Sequence, residues 1–226
     1  MRRLVLAAIA SLCCLTAGAQ THYRPHVWLG ARAGMSMARV DFAPSVRQGW
    51  LAASQGALTF RYSEEKLFGL VAEFGWSTRG WKENFEEAPL NYSRSLTYLT
   101  LPVMTQISFG SPRVKCFVNI GPQFSYMISS STSANFDYTD LSTVTQWPER
   151  TRETRQLNMD IENRFDYGIA GGVGVEFYVA PRHSLTLEGR YYFGLGNIFH
   201  STKADVFSAS RCTSIEISLG YNFRLK

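Results

Sequence analysis

Few residues in this chain have the types and spacing that chemistry requires. His200 and Ser201 are adjacent, with Asp205 close behind, the three residue types of a nucleophilic site. Such a site needs the base within about 3 Å of the hydroxyl and a third group to hold it. Neighbours on a strand point to opposite faces, so this trio could assemble only in a loop, and His22, His26, His183 and His200 read as scattered surface histidines. Gly168, Gly171, Gly172 and Gly174 suggest a phosphate-binding loop, but such a loop needs a strand before it and a helix after it. Here the glycines fall inside one strand pattern, where glycine marks a bend or a close approach of backbones. Cys116 and Cys212 come with no metal-type Cys/His spacing and are expected to be unpaired thiols. The expectation is a non-enzymatic protein with no catalytic, cofactor-binding or metal-binding residues, and no cofactor.

Two other groupings stand out. Arg32, Glu73, Asp166, Glu176, Glu188, Arg190 and Glu216 sit at the polar positions of alternating segments. Charges of both signs in a narrow interior must pair, since each is costly to bury alone, and these seven form a candidate lumen charge network. The second grouping is Trp147, Glu149, Arg150, Arg152, Glu153 and Arg155 within a Ser/Thr-rich stretch. Mixed charge suits a solvated loop. Trp147, Arg150, Arg152 and Arg155 are also residue types that dock a partner protein or the phosphates of lipopolysaccharide.

The chain opens on a leader. Met1 to Gln20 holds Arg2 and Arg3, an apolar stretch from Leu4 to Leu15, and small residues at Ala17, Gly18 and Ala19. This is the pattern of a secretory signal cleaved after Ala19, giving residues 1–19 as signal peptide and 20–226 as one barrel domain. Cys13 follows Leu12 and Cys14 follows Cys13, so lipoprotein processing is not expected. Without Arg2 and Arg3, 21 basic residues face 18 acidic ones, a net +3, too little to favour a nucleic-acid partner. Hydrophobic residues at 45% and charged residues at 18% indicate a globular chain. Aromatics at 14% favour strands.

What recurs after the leader is period-2 alternation. Ile215, Ile217, Leu219, Tyr221 and Phe223 interleave with Ser214, Glu216, Ser218, Gly220 and Asn222. Arg164 to Phe177, Leu185 to Leu195, Phe68 to Trp76 and Leu99 to Ile107 repeat the pattern, and Val27 to Ser36, Trp50 to Tyr62 and Lys115 to Ile128 complete eight candidate strands. Each has about 10 residues or more, enough for a tilted strand to cross a bilayer. Connections at Ser63 to Lys66, Gly110 to Pro112 and Ala180 to His183 are turn-sized. Those near Met37 to Gly49, Ser77 to Asn91, Ser129 to Asn163 and Gly196 to Arg211 are long. Short and long ends therefore segregate, and the fold class expected is all-β: an eight-stranded antiparallel transmembrane β-barrel with long outer loops and short periplasmic turns. A lipocalin-like cup would need an apolar interior, whereas the face opposite the aromatics carries the charges. Trp50, Trp76, Trp81, Tyr92 and Tyr126 are candidates for interfacial girdles.

Several stretches carry a family resemblance: Tyr98-Leu99-Thr100-Leu101-Pro102, Phe117-Val118-Asn119-Ile120-Gly121-Pro122, Phe165-Asp166-Tyr167-Gly168 running into Gly171-Gly172-Val173-Gly174-Val175-Glu176, and Arg190-Tyr191-Tyr192 with Gly194-Leu195-Gly196-Asn197-Ile198. In order and spacing they resemble the PorT-type outer-membrane β-barrels of Bacteroidetes. The resemblance implies an eight-stranded barrel in the outer membrane, and its name-giving member belongs to the type IX secretion and gliding machinery. The expected function is a membrane scaffold or secretion accessory. Its expected partners are outer-membrane lipid, lipopolysaccharide and secretion-system proteins, with no nucleic acid. A small porin or ligand-binding barrel and an outer-membrane lipid-modifying enzyme are the alternatives. Eight strands leave an interior just wide enough for side chains, which disfavours open diffusion.

Overall fold

The computed structural model describes residues 25–64, 67–85, 88–144, 154–201 and 206–225. The expected leader, residues 1–19, lies outside them. The strands are β1 (His26–Ala43), β2 (Gln48–Gly49), β3 (Leu51–Ser63), β4 (Phe68–Glu83), β5 (Tyr92–Gly110), β6 (Val114–Ala134), β7 (Phe165–Ala180), β8 (His183–Asn197) and β9 (Ala209–Arg224). All pairings are antiparallel, in the order β4-β3-β1-β9-β8-β7-β6-β5, and β5 pairs back onto β4. The eight long strands thus close a barrel, the arrangement that lets strands satisfy their backbone groups inside lipid. Among the described residues no helix is long and apolar enough to cross a membrane. The start of β1 and the end of β9 meet at the short-turn end, where the Leu225 amide donates to Val27 at 2.8 Å.

Alternation sorts the side chains. On β9, Ile215, Ile217, Leu219 and Tyr221 face outward, while Ser214, Glu216, Ser218 and Asn222 are buried. This reverses the polarity of a soluble protein, since apolar atoms contact lipid and polar ones fill the interior. On β5 the outward series Leu99, Leu101, Val103, Thr105, Ile107 and Phe109 spans 11 residues, close to the length that crosses a bilayer.

The strands run further than their alternation suggests. The strand ends expected at Ser36, Trp76 and Ile128 fall at Ala43, Glu83 and Ala134, which shortens the long loops. The reason is that hydrophobic alternation marks only the lipid-bathed part of a strand, whereas backbone pairing continues beyond it. Past the apolar band β5 carries Ser93, Ser95 and Thr97, and β6 carries Ser129, Ser130 and Ser131. A ninth element also appears: β3 and β4 stop pairing at Gln55 and Ser77, and β2 pairs Gln48 and Gly49 with Glu83 and Lys82 beyond that point. The Gln48 side chain accepts from the Val40 amide and donates to its carbonyl, bracing β2 on β1.

The longer strands correct two girdle assignments. Trp50, Trp76 and Tyr126 are exposed on the outside, but Trp81 and Tyr92 are fully buried. Carried past Trp76, the β4 alternation puts Ser77, Arg79, Trp81 and Glu83 inside. Tyr92 likewise shares the inward parity of Leu96, Tyr98 and Thr100 on β5. At the opposite end Gly110, at φ +135°, starts the β5–β6 turn in a conformation that side chains rarely adopt.

Candidate functional site

The barrel interior holds three tiers of ion pairs. Nearest the short turns, Arg61 on β3 grips Glu176 on β7 with both terminal nitrogens, at 2.7 and 2.9 Å. The Tyr178 hydroxyl (3.0 Å) and the Ser184 hydroxyl (2.6 Å) donate to the same carboxylate. In the middle, Glu73 on β4 receives Arg190 on β8 at 2.8 and 3.0 Å and Arg32 on β1 at 2.9 Å. Arg190 also holds Glu188 at 3.0 Å, to which Asn119 on β6 donates at 3.0 Å. Arg32 donates to Gln55 at 2.6 Å and lies 3.8 Å from Glu216, which Ser77 also reaches at 3.2 Å. Nearest the long loops, Arg79 on β4 pairs with Asp166 on β7 at 3.0 Å. Tyr192 donates to Asp166 at 2.9 Å while its ring stacks under the Arg79 guanidinium at 3.8 Å.

All seven residues expected to line the lumen are therefore inside the ring: Arg32, Glu73, Glu188, Arg190 and Glu216 join in the middle tier, while Glu176 and Asp166 stand in separate tiers with Arg61 and Arg79. Sequence reasoning missed Arg61 and Arg79. Arg61 could have been found from its alternation with Leu58 and Phe60, both exposed outside. Arg79 could not, because the β4 pattern loses its apolar half after Trp76. Gly172 shows why glycines recur in the wall: a Cβ there would sit 2.7 Å from the Glu188 carboxylate and 3.3 Å from the Arg190 side chain, so only glycine leaves room for the pair.

Above the last tier the interior turns apolar. Phe42 packs on Trp81 (5.4 Å between ring centroids) and Phe207 (5.0 Å), and Trp81 packs on Phe199 (6.2 Å). A single helical turn, α1 (Arg155–Asn158), closes over this cluster with Gln156 and Leu157 buried. Gln156 donates to Glu83 at 3.1 Å, and the Tyr92 hydroxyl donates to the Leu157 carbonyl at 2.8 Å. Of the four residues expected to form a partner loop, Arg155 opens α1, while Trp147, Arg150 and Arg152 lie outside the described residues. Between the tiers a cavity of about 30 Å³ is lined by Arg32, Glu73, Asn119 and Glu188, space on the scale of single waters. In planar bilayers the folded protein is therefore expected to show no stable, porin-sized conductance. Recording such steps would mean that the interior is not filled.

His200 and Ser201 do not form a couple. His200 Nε2 lies 2.7 Å from Glu162, and the Ser201 hydroxyl accepts from Asn197 at 3.0 Å; Asp205 lies outside the described residues. Cys116 is exposed and Cys212 buried, both free.

A closed antiparallel ring with an apolar exterior, a paired polar interior, short turns at one end and long loops at the other defines a membrane-spanning barrel of the outer-membrane type. The chain belongs to the family described as outer membrane protein beta-barrel domain, whose sequence pattern matches residues 19–200. It is an outer-membrane β-barrel protein, with its short turns toward the periplasm. Solved structures similar to it include neisserial surface protein A (14% identity, TM-score 0.48, covering 89% of this chain and 99% of that one). OprG of Pseudomonas aeruginosa is similar at 11% identity and TM-score 0.49, covering 87% and 95%. Outer membrane protein W of E. coli is similar at 18% identity and TM-score 0.46, covering 90% and 100%. No curated protein matches the chain.

Proposed function

We propose that this barrel is a non-enzymatic scaffold of the PorT type, acting as an accessory of type IX protein secretion in a member of the Bacteroidetes. In this reading it holds partners through its third outer loop and passes no solute. The observation that carries the reading is the filled interior: three tiers of ion pairs under an aromatic cap leave the surface as the place to act. The succession of motifs favours the PorT type, since Tyr98 to Pro102, Phe117 to Pro122 and Phe165 to Glu176 fall on the consecutive strands β5, β6 and β7. The loop between β6 and β7 is the longest connection, and α1 pins its far end into the barrel mouth. Trp147, Arg150, Arg152 and Arg155 are of the types enriched at binding hot spots, and arginine suits either an acidic protein surface or lipopolysaccharide phosphates.

The test is to replace residues 140–153 with a short Gly/Ser linker and change Arg155→Ser, keeping β6 and the buried part of α1. Folding, followed by the difference in gel mobility with and without boiling, is expected to persist. Copurification of a specific membrane or secretion protein from the native outer membrane is expected to be lost. A loop-shortened protein that keeps every partner would remove the basis for the reading.

A further inference from the structure

The periplasmic mouth holds a cavity of about 660 Å³ lined by Trp28, Arg61, Arg113, Lys115, Tyr178 and Arg224, among others, within the size range of ligand sites. Glu176 is the one carboxylate among its described lining residues, and Arg61, Tyr178 and Ser184 already hold it. Arg113, Lys115 and Arg224 have no acidic partner among the described residues. Arg61 is itself 95% buried, and its Nε has no hydrogen-bond partner. Aromatic faces brace the cations: Arg61 and Arg224 lie over the Trp28 ring at 4.8 and 5.7 Å, and Lys115 lies over Tyr178 at 5.4 Å. Stacking of this kind attracts a cation to the ring while leaving its remaining donors for another group.

We propose that this vestibule is a binding site for an acidic peptide segment of a periplasmic protein. Charge sets the class, because a concave, basic and partly desolvated site favours an anion. Position excludes lipid, because the wall stays closed down to the mouth: β1 and β9 pair to Trp28 and Arg224, and β6 and β7 pair to Val114 and Phe177. Spread favours a chain with several carboxylates over one small anion. Lys115 on β6 and Arg224 on β9 are separated by β7 and β8, three steps of about 4.8 Å along the wall, so the cations circle the mouth. Glu176 shows how this wall receives a carboxylate, with a two-pronged arginine and a tyrosine hydroxyl. The site lies at the opposite end from the outer loop, so the two proposals stand or fall separately.

The experiment uses the full-length protein folded in detergent micelles and fluorescein-labelled hexaglutamate, read by fluorescence anisotropy. Binding is expected, weakening with added salt, and labelled hexaglutamine is expected not to bind. Changing Arg113→Gln, Lys115→Gln and Arg224→Gln together should weaken hexaglutamate binding at least tenfold. Arg164→Gln at the outer end should leave it unchanged. Arg113→Gln with Lys115→Gln, on and beside an exposed turn, serves if the triple variant loses its heat-dependent gel mobility, with a weakening of at least threefold expected. No binding, equal binding of hexaglutamine, or full affinity in the folded variants would overturn the proposal. Displacement by inorganic phosphate at matched charge concentration would also overturn it, assigning the site to phosphate.

Discussion

Replacing Arg190 with methionine is expected to destabilise the barrel by about 3–5 kcal/mol, the cost of removing one partner from a buried ion pair. Arg190 is 2% exposed and joins two carboxylates, Glu73 at 2.8 Å and Glu188 at 3.0 Å. Methionine fills much of the same volume, so the loss comes from charge and not from a cavity. Glu73 retains Arg32, whereas among the described residues Glu188 retains only the Asn119 amide, and the damage should concentrate there. Adding Glu188→Gln to the variant removes the stranded charge and should recover more than half of the loss. Urea unfolding from lipid vesicles, followed by tryptophan fluorescence, measures both. A single variant as stable as the parent would show that the middle tier does not support the fold.

The second large effect is on the lipid face. Leu219 is 69% exposed on the outside of β9, in the middle of the apolar series from Ile215 to Phe223 and paired with Ala33 and Leu187. Leu219→Arg puts a cation into the middle of the bilayer and should cost about 2–4 kcal/mol. Leu225 is also exposed, but it follows the last residue of β9 at the periplasmic interface, where Leu225→Arg should cost about 0–1 kcal/mol. The contrast depends on depth alone, since both substitutions exchange leucine for arginine on one outward series. Equal costs in vesicle unfolding would mean that the apolar series does not face lipid.

Parts of the barrel were legible because they are local. Period-2 alternation from Ile215 to Phe223 states which face of β9 meets lipid without reference to any other strand. The turn residues at 110–112 and 180–183 mark where the chain reverses, and the series Leu99 to Phe109 measures the bilayer. Lumen glutamates such as Glu73 and Glu188 were visible for the same reason, as polar positions opposite aromatic ones. Legibility ended where lipid did. Arg79, Trp81 and Tyr92 sit on strand extensions whose outward neighbours are polar, so no alternation announced that these three point inward.

Eight crossings, an inverted interior and the segregation of short and long connections could be read from the chain alone, because each follows from side-chain period and strand length within one segment. Which charge meets which is set by the closed ring. Arg190 and Glu73 are separated by 117 residues and Arg61 and Glu176 by 115, and no local pattern sets their heights in the barrel. The stagger of the closed ring does, because sliding one strand by two residues preserves every inside and outside assignment while moving each charge by about 6.6 Å along the strand. That is farther than an ion pair can stretch.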